Sequence, residues 1–547
     1  MNKAFQLAKF NEYKGDPSYL EQDIDKIRAV SVSDVMRVYE KYIKNKPYIE
    51  TSFVPKGQLN LMVANSVNAN VLEENIKNAV EVKQNAADSE QIIKTKTIID
   101  RSKMPVSGSD PQINLPKIWS NTFQSGLKVY GIEQTELPLV QYNITVEGGQ
   151  MLESIDKIGV ANLIAEILRQ GTKNKTPLQL EEEIDMLGAV IAVKSNKESI
   201  TISVNTLARN YQKTIDLVQE MILEPRWDAE EFELAKTKTV NNLKRSMANP
   251  DYLASLNFNK ILYGENCVLA YDKTGTVKSV ESITIDDLKS FYEKYFSPTV
   301  ASIQIAGDIG KDAAVKSLQN LASKWQKKNV VMNEFNGFPV IDKSKIYFVD
   351  VPGAKQSVIY IGNLAFSRNN PDYFPATVMN YKLGGSFSGV INMILREEKG
   401  FTYGAWSGFS GQLFVGPFYA NSSVRSNSTF ESVQIIKNSM EKYRLGLSVE
   451  DLDFTKNALL KANALRFETL GGLISLLSNI SLYNLPLDYI KLEENVIRNM
   501  TVDSHKKLAE KYILPDKMIY LIVGDAATQL QPLKNIGFGD PILINNH

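Results

Sequence analysis

Val280-Glu281-Ser282-Ile283-Thr284-Ile285-Asp286-Asp287, leading into Tyr292-Glu293-Lys294-Tyr295-Phe296, is one of three related passages in the chain. The others are Ile27-Arg28-Ala29-Val30-Ser31-Val32-Ser33-Asp34 with Tyr39-Glu40-Lys41-Tyr42-Ile43, and Ile497-Arg498-Asn499-Met500-Thr501-Val502-Asp503-Ser504 with Ala509-Glu510-Lys511-Tyr512-Ile513. In each, a Ser or Thr stands before an amphipathic run, where its side chain can cap the first free N–H groups of a helix. Asp34 and Asp287 suit the positive end of that helix. A short break follows each helix, and then a strand-like run: residues 48–54, 300–306 and 518–523.

The last two copies close long bodies of mixed character, whereas the first has no such body before it. Residues 1–57 therefore read as the terminal helix–strand remnant of a preceding unit; a free-standing helical cap is the other reading. Residues 58–115 read as a connector. They are polar through 65–88, with weak helical spacing at Leu72, Ile76 and Val80, and are then broken by Pro105, Ser107-Gly108-Ser109, Pro111 and Pro116. Two units follow, 116–330 and 340–530. The first opens with strand candidates at 126–131 and 139–147, then helical stretches at 158–170, 177–187 and 211–223, with an alternating strand at 200–204. Strands and helices in runs, without a strict βαβ rhythm, predict an α+β fold with mixed or antiparallel sheets and flanking helices.

Composition narrows the function. Lys+Arg and Asp+Glu are both 62 in 547 residues, so charge gives no reason to expect nucleic acid as a partner. The longest apolar runs are too short to span a bilayer. Cys267 is alone, which excludes an internal disulfide framework, and no His neighbours it in sequence to activate a thiolate. Met1 to Gln6 lacks the apolar core of a signal peptide, so the compartment is left to whatever precedes Met1 in a longer parent, a cell-envelope location included. Histidine occurs only at 505 and 547, which is scant material for a catalytic zinc site.

Leu395-Arg396-Glu397-Glu398-Lys399-Gly400-Phe401-Thr402-Tyr403-Gly404 carries the most chemical information. Phe387, Val390, Ile391, Ile394 and Leu395 form a helical stripe across 386–399, and Gly400 suits the position just past a helix end. Alternation after Gly400 predicts a strand. Arg396 then lies in the last helical turn and Tyr403 on the strand, so a tight return can bring guanidinium and phenol to one surface. The plainer account is that Arg396 complements the helix C-terminus and Tyr403 packs as core. The spacing alone leaves both open.

That line, preceded by Leu383-Gly384-Gly385-Ser386-Phe387-Ser388, resembles the C-terminal half of insulinase/pitrilysin-type zinc peptidases and of mitochondrial-processing-peptidase-like proteins. The resemblance covers about 115–526. It implies that Arg396 and Tyr403, seven residues apart, are offered to a zinc site on the family's other half. There they would hold the substrate backbone and the developing oxyanion. The family's zinc helix carries H-x-x-E-H. The matching line, Gly159-Val160-Ala161-Asn162-Leu163-Ile164-Ala165-Glu166, has Asn162, Ala165 and Glu166 in the three positions, and the region of the distant glutamate reads Val240-Asn241-Asn242-Leu243. The resemblance thus implies no cofactor in this chain, zinc in a partner half bearing H-x-x-E-H, peptide substrates, and hydrolysis only when the two halves act together. A structural or assembly subunit is the alternative. Gly384 to Gly389 could cradle a phosphate but lacks the Lys-Ser/Thr ending of a P-loop, so close backbone packing is the better reading. The four tryptophans read as core or interface residues.

Overall fold

The structure, a computed structural model, describes residues 3–55, 57–69, 100, 115–463 and 465–544. The periodicity read at Leu72, Ile76 and Val80 and most of the connector lie outside the described residues. The chain divides into two compact units, Met1–Pro105 and Val106–His547.

The larger unit is built twice on one plan. Its first sheet contains β1 (Ile118–Thr122), β2 (Lys128–Glu133), β3 (Leu139–Glu147), β4 (Val190–Ser195), β5 (Ser199–Leu207) and β6 (Ala301–Gly307), in the order β1-β2-β6-β3-β5-β4. The second contains β7 (Lys345–Asp350), β8 (Gln356–Phe366), β9 (Thr402–Phe409), β10 (Gly416–Arg425), β11 (Ile519–Gly524) and β12 (Ile542–Ile544), in the order β12-β7-β11-β8-β10-β9. In each, the strand closing the repeat, β6 or β11, enters the middle of the sheet. It pairs parallel to β2 or β7 and antiparallel to β3 or β8. Central strands have no solvated face, and every residue of β6 and β11 is buried. The α+β expectation holds, with mixed sheets.

The repeated helices are capped as their sequences require. Asp287 N–H donates to Thr284 Oγ1 at 3.2 Å and Ser504 N–H to Thr501 Oγ1 at 3.1 Å, each within a reciprocal capping box.

Each half also lends a helix to the other. Pro250–Tyr263, which follows the first sheet's body, packs Leu253, Ala254, Phe258 and Leu262 on Ile519, Leu521 and Val523 of β11. Leu470–Tyr483, from the second half, packs Leu473, Leu477 and Ile480 on Ile132 and Ala306 of the first sheet. A buried amide is satisfied across that second contact: Gln304 Nε2 donates to Ser481 Oγ and Ser302 Oγ at 2.8 Å, while its Oε1 accepts from Thr145 at 3.1 Å. Among the described residues no helix is long and apolar enough to cross a membrane.

The smaller unit holds helices Lys3–Lys14, Leu20–Arg28 and Val32–Tyr42. The third is capped by Ser31 in a capping box with Asp34, as the repeat predicts. The strand expected over 48–54 does not form: among the described residues the run has no ladder partner, and a strand without one leaves its backbone to water.

Candidate functional site

The helix expected over 386–399 is shorter and wider than its apolar stripe suggests. An α-turn at Val390–Asn392 runs on as a π-helix, Met393–Glu398, in which Lys399 N–H reaches the Ile394 carbonyl at 3.0 Å, five residues back. Gly400 ends it with φ +63°, a conformation that costs a Cβ-bearing residue dearly, and its N–H closes on the Arg396 carbonyl at 3.1 Å. Arg396 thus sits in the last turn, and β9 starts two residues past the glycine.

Strict alternation would put Tyr403 on the side of Ala405, whose methyl is fully buried in the second core. A β-bulge prevents this. Thr402 lies opposite Val424 and Ala405 opposite Ser422, so three steps on β9 match two on β10. Thr402 Oγ1 fixes the bulge by donating within reach of the Gly404 and Ser423 carbonyls, at 2.9 and 2.7 Å, and by accepting from Gly404 N–H at 3.1 Å. Tyr403 is turned out of the core and is 92% exposed. The account in which it packs as core is therefore excluded. Trp406, on the same strand, is also exposed and lies against Gly404.

Arg396 is half-exposed. Its guanidinium lies 4.5 Å from the centre of the exposed Phe387 ring, a cation–π contact, and its Nε is 3.5 Å from the neighbouring Glu397 carboxylate. The π-helix packs directly on β9, so cation and phenol project from adjoining elements.

Two buried amides that the sequence reading missed hold these elements in register. Asn392 donates to the Phe387 carbonyl at 2.7 Å and accepts from Ala405 N–H at 3.1 Å, tying the Arg396 segment, the Phe387 loop and the strand together. Asn380 donates to the Ser407 carbonyl and accepts from its hydroxyl, both at 2.7 Å. A polar Asn392 inside Val390-Ile391-Asn392-Met393-Ile394 was the available signal, because such a residue on an inward face must have partners. The Gly384 to Gly389 stretch is a packing device, as read: a Cβ on Gly384 would come within 2.6 Å of Ser407 N.

The positions matching the zinc motif lie on Val160–Ile167, against the helix Ala229–Ser246. Ala165 is buried and has no donor atom, Asn162 offers an amide, and Glu166 is held by Lys238, Nζ to Oε2 3.3 Å. Catalytic zinc needs three nitrogen, sulfur or carboxylate ligands around an open position. An ammonium already faces the one carboxylate, so these residues do not fit the metal. Among the described residues, no group of three or more His, Cys, Asp or Glu could hold an ion. Burial pushes the Cys267 thiol up from its ordinary value, which disfavours the thiolate.

Two family descriptions match this chain: Insulinase (Peptidase family M16) over residues 129–268, and Peptidase M16 inactive domain over 282–459. The chain is 24% identical over 408 residues to the Non-peptidase homolog YmxG of Helicobacter pylori, covering 74% of this chain and 93% of that protein. It is 20% identical to the Uncharacterized zinc protease YmxG of Bacillus subtilis, covering 65% of this chain and 85% of that one. The solved M16 inactive domain of Pseudomonas fluorescens superposes with a TM-score of 0.70 at 24% identity, over 75% of this chain and 99% of that structure. The chain belongs to the M16, or insulinase, peptidase family. With its motif positions altered and an M16 inactive domain matched, it is consistent with an inactive M16-like member.

Proposed function

We propose that this chain is the substrate-clamping half of a two-part M16 peptidase, supplying Arg396 and Tyr403 to a zinc centre carried by a partner half with an intact H-x-x-E-H. The observation that carries the reading is the bulge at Thr402–Ala405. It keeps a tyrosine in solvent, next to an arginine-bearing π-helix, at the cost of a broken ladder. A phenol and a guanidinium pre-set on rigid elements suit a peptide carbonyl whose oxygen gains negative charge as it is attacked, because both donate hydrogen bonds without having to reorganise. Binding the flanking peptide backbone is the second task open to Arg396.

Peptide cleavage by a mixture of this chain with a zinc-bearing M16 half tests the proposal. Removing one oxyanion donor typically lowers kcat about 10²-fold or more, so Arg396→Ala and Tyr403→Phe are each expected to have that effect on the mixture. If both variants leave the rate where it was, the clamp reading is wrong and an assembly role takes its place. The chain alone is expected to cleave nothing.

A further inference from the structure

The three copies of the capped helix–strand element have unequal surroundings. Aligning Ser31, Thr284 and Thr501 sets Val35 against Leu288 and His505, and Ile43 against Phe296 and Ile513. Leu288, His505, Phe296 and Ile513 are all buried. Val35 is 56% exposed and Ile43 66%. Val38 and Tyr39, on the same helix face, are exposed as well. The strand segments show the same contrast. β6 starts five positions after Phe296 and β11 six after Ile513, and both are buried throughout. The run starting at Tyr48, five positions after Ile43, leaves Ile49 93% exposed and Phe53 fully so.

The first copy therefore has the sequence, the cap and the apolar face of its siblings but, among the described residues, no sheet to join. Its siblings define what covers such an element: a mixed sheet whose central place, between a parallel and an antiparallel neighbour, is vacant until this strand enters it. Both sheets among the described residues already have that place filled. We infer that residues 31–54 are a donated element, completing the sheet of a second M16-type unit that lacks its own terminal helix and strand. The identity of that unit rests on the partner reading above: it is the last unit of the zinc-bearing half. Exposed Val35, Val38, Tyr39 and Ile43 on one helix face, followed by exposed Ile49 and Phe53, mark an interaction surface, and strand addition supplies both backbone bonds and apolar cover.

The test is amide exchange over 31–54 in the full chain, mixed with a recombinant zinc-bearing M16 half that ends before its own capped terminal helix. Exchange is expected to slow about tenfold or more. Ile49→Asp with Phe53→Asp should abolish that protection and, since both side chains are exposed, leave the rest of the chain folded. The same half with its terminal helix and strand restored should protect far less. Protection already present in the isolated chain, protection that rises with the concentration of this chain alone, or equal protection by the complete half would each overturn the inference. This readout is independent of cleavage: loss of activity in Arg396→Ala with protection intact bears only on the clamp.

Discussion

Asn392 and Tyr403 bring opposite demands to one site. Tyr403 is exposed and bonded to nothing in the core, so Tyr403→Phe is expected to leave the urea midpoint unchanged while lowering the activity of the mixed halves. Asn392→Ala leaves the buried Ala405 N–H without its partner, at a cost of about 1–3 kcal/mol, and frees the part-buried Phe387 carbonyl, so it should lower both stability and activity. Urea titrations of the two variants separate the roles. His505 gives a third measurement. It occupies the inward helix position held by Leu288 in the sibling copy, beside Tyr443 Oη at 3.1 Å and the Met379 carbonyl at 3.2 Å, and burial pulls its pKa down to about 4. An unfolded histidine titrates near 6.5. Between these values the unfolded chain binds a proton that the folded chain does not, so stability falls as the pH is lowered through 6.5 toward 4. The loss amounts to about 2 kcal/mol between pH 7 and 5. His505→Leu should remove that slope, as read by urea melts at the two pH values.

At the scale of elements, the sequence revealed whatever is determined locally. Ser31, Thr284 and Thr501 announce their caps, Gly400 its helix end, and the alternation in 139–147 its strand, because each depends on residues within one turn or one pleat. The bulge was hidden, because it is a mismatch of β9 with β10, a partner twenty residues on, and the sequence of β9 alone reads as regular alternation. The π-helix was hidden for a related reason: its apolar stripe fits 3.6-residue spacing, which does not report the wider backbone bonding of Lys399 N–H to the Ile394 carbonyl. Residues 48–54 show the converse, a strand propensity that yields no strand where no neighbour among the described residues offers a ladder. The closeness of the Leu383–Gly389 loop to β9 gives a prediction at this scale. Gly384→Ala would drive a methyl within 2.5 Å of Ser407 Oγ and 2.6 Å of its backbone nitrogen, displacing the strand that carries Tyr403. Overpacking of this kind costs about 1–3 kcal/mol. Activity of the mixture should fall with it, and near-ultraviolet circular dichroism should report the altered setting of Trp406.

At the scale of the molecule, the exchange of helices makes the two halves of the larger unit depend on each other. Leu470–Tyr483 belongs by sequence to the second half but buries Leu477 against the first sheet, and Pro250–Tyr263 does the reverse with Phe258. Polar contacts run the same way. Glu198, from the β4–β5 turn, accepts from Tyr483 Oη at 3.1 Å and from Leu413 N–H in the β9–β10 loop. Within the second half, Glu493 is buried between Arg368 at 3.4 Å and Arg466 at 3.1 Å, with the Arg368 guanidinium 5.7 Å from the Tyr483 ring centre, so the lent helix is braced from behind. Removing either lent helix's anchor uncovers a sheet in the half it does not belong to. Leu477→Ala should cost about 2–5 kcal/mol and Phe258→Ala about 3–5 kcal/mol. Because each anchor is shared, calorimetry of either variant should show one transition shifted as a whole. Halves that merely touched would instead split into two endotherms, the first sheet melting early in Leu477→Ala and the second in Phe258→Ala. A single shifted transition means that the two sheets unfold together, so under the proposed clamp role a lesion under the first sheet, far along the chain from Tyr403, should also lower the activity of the mixed halves.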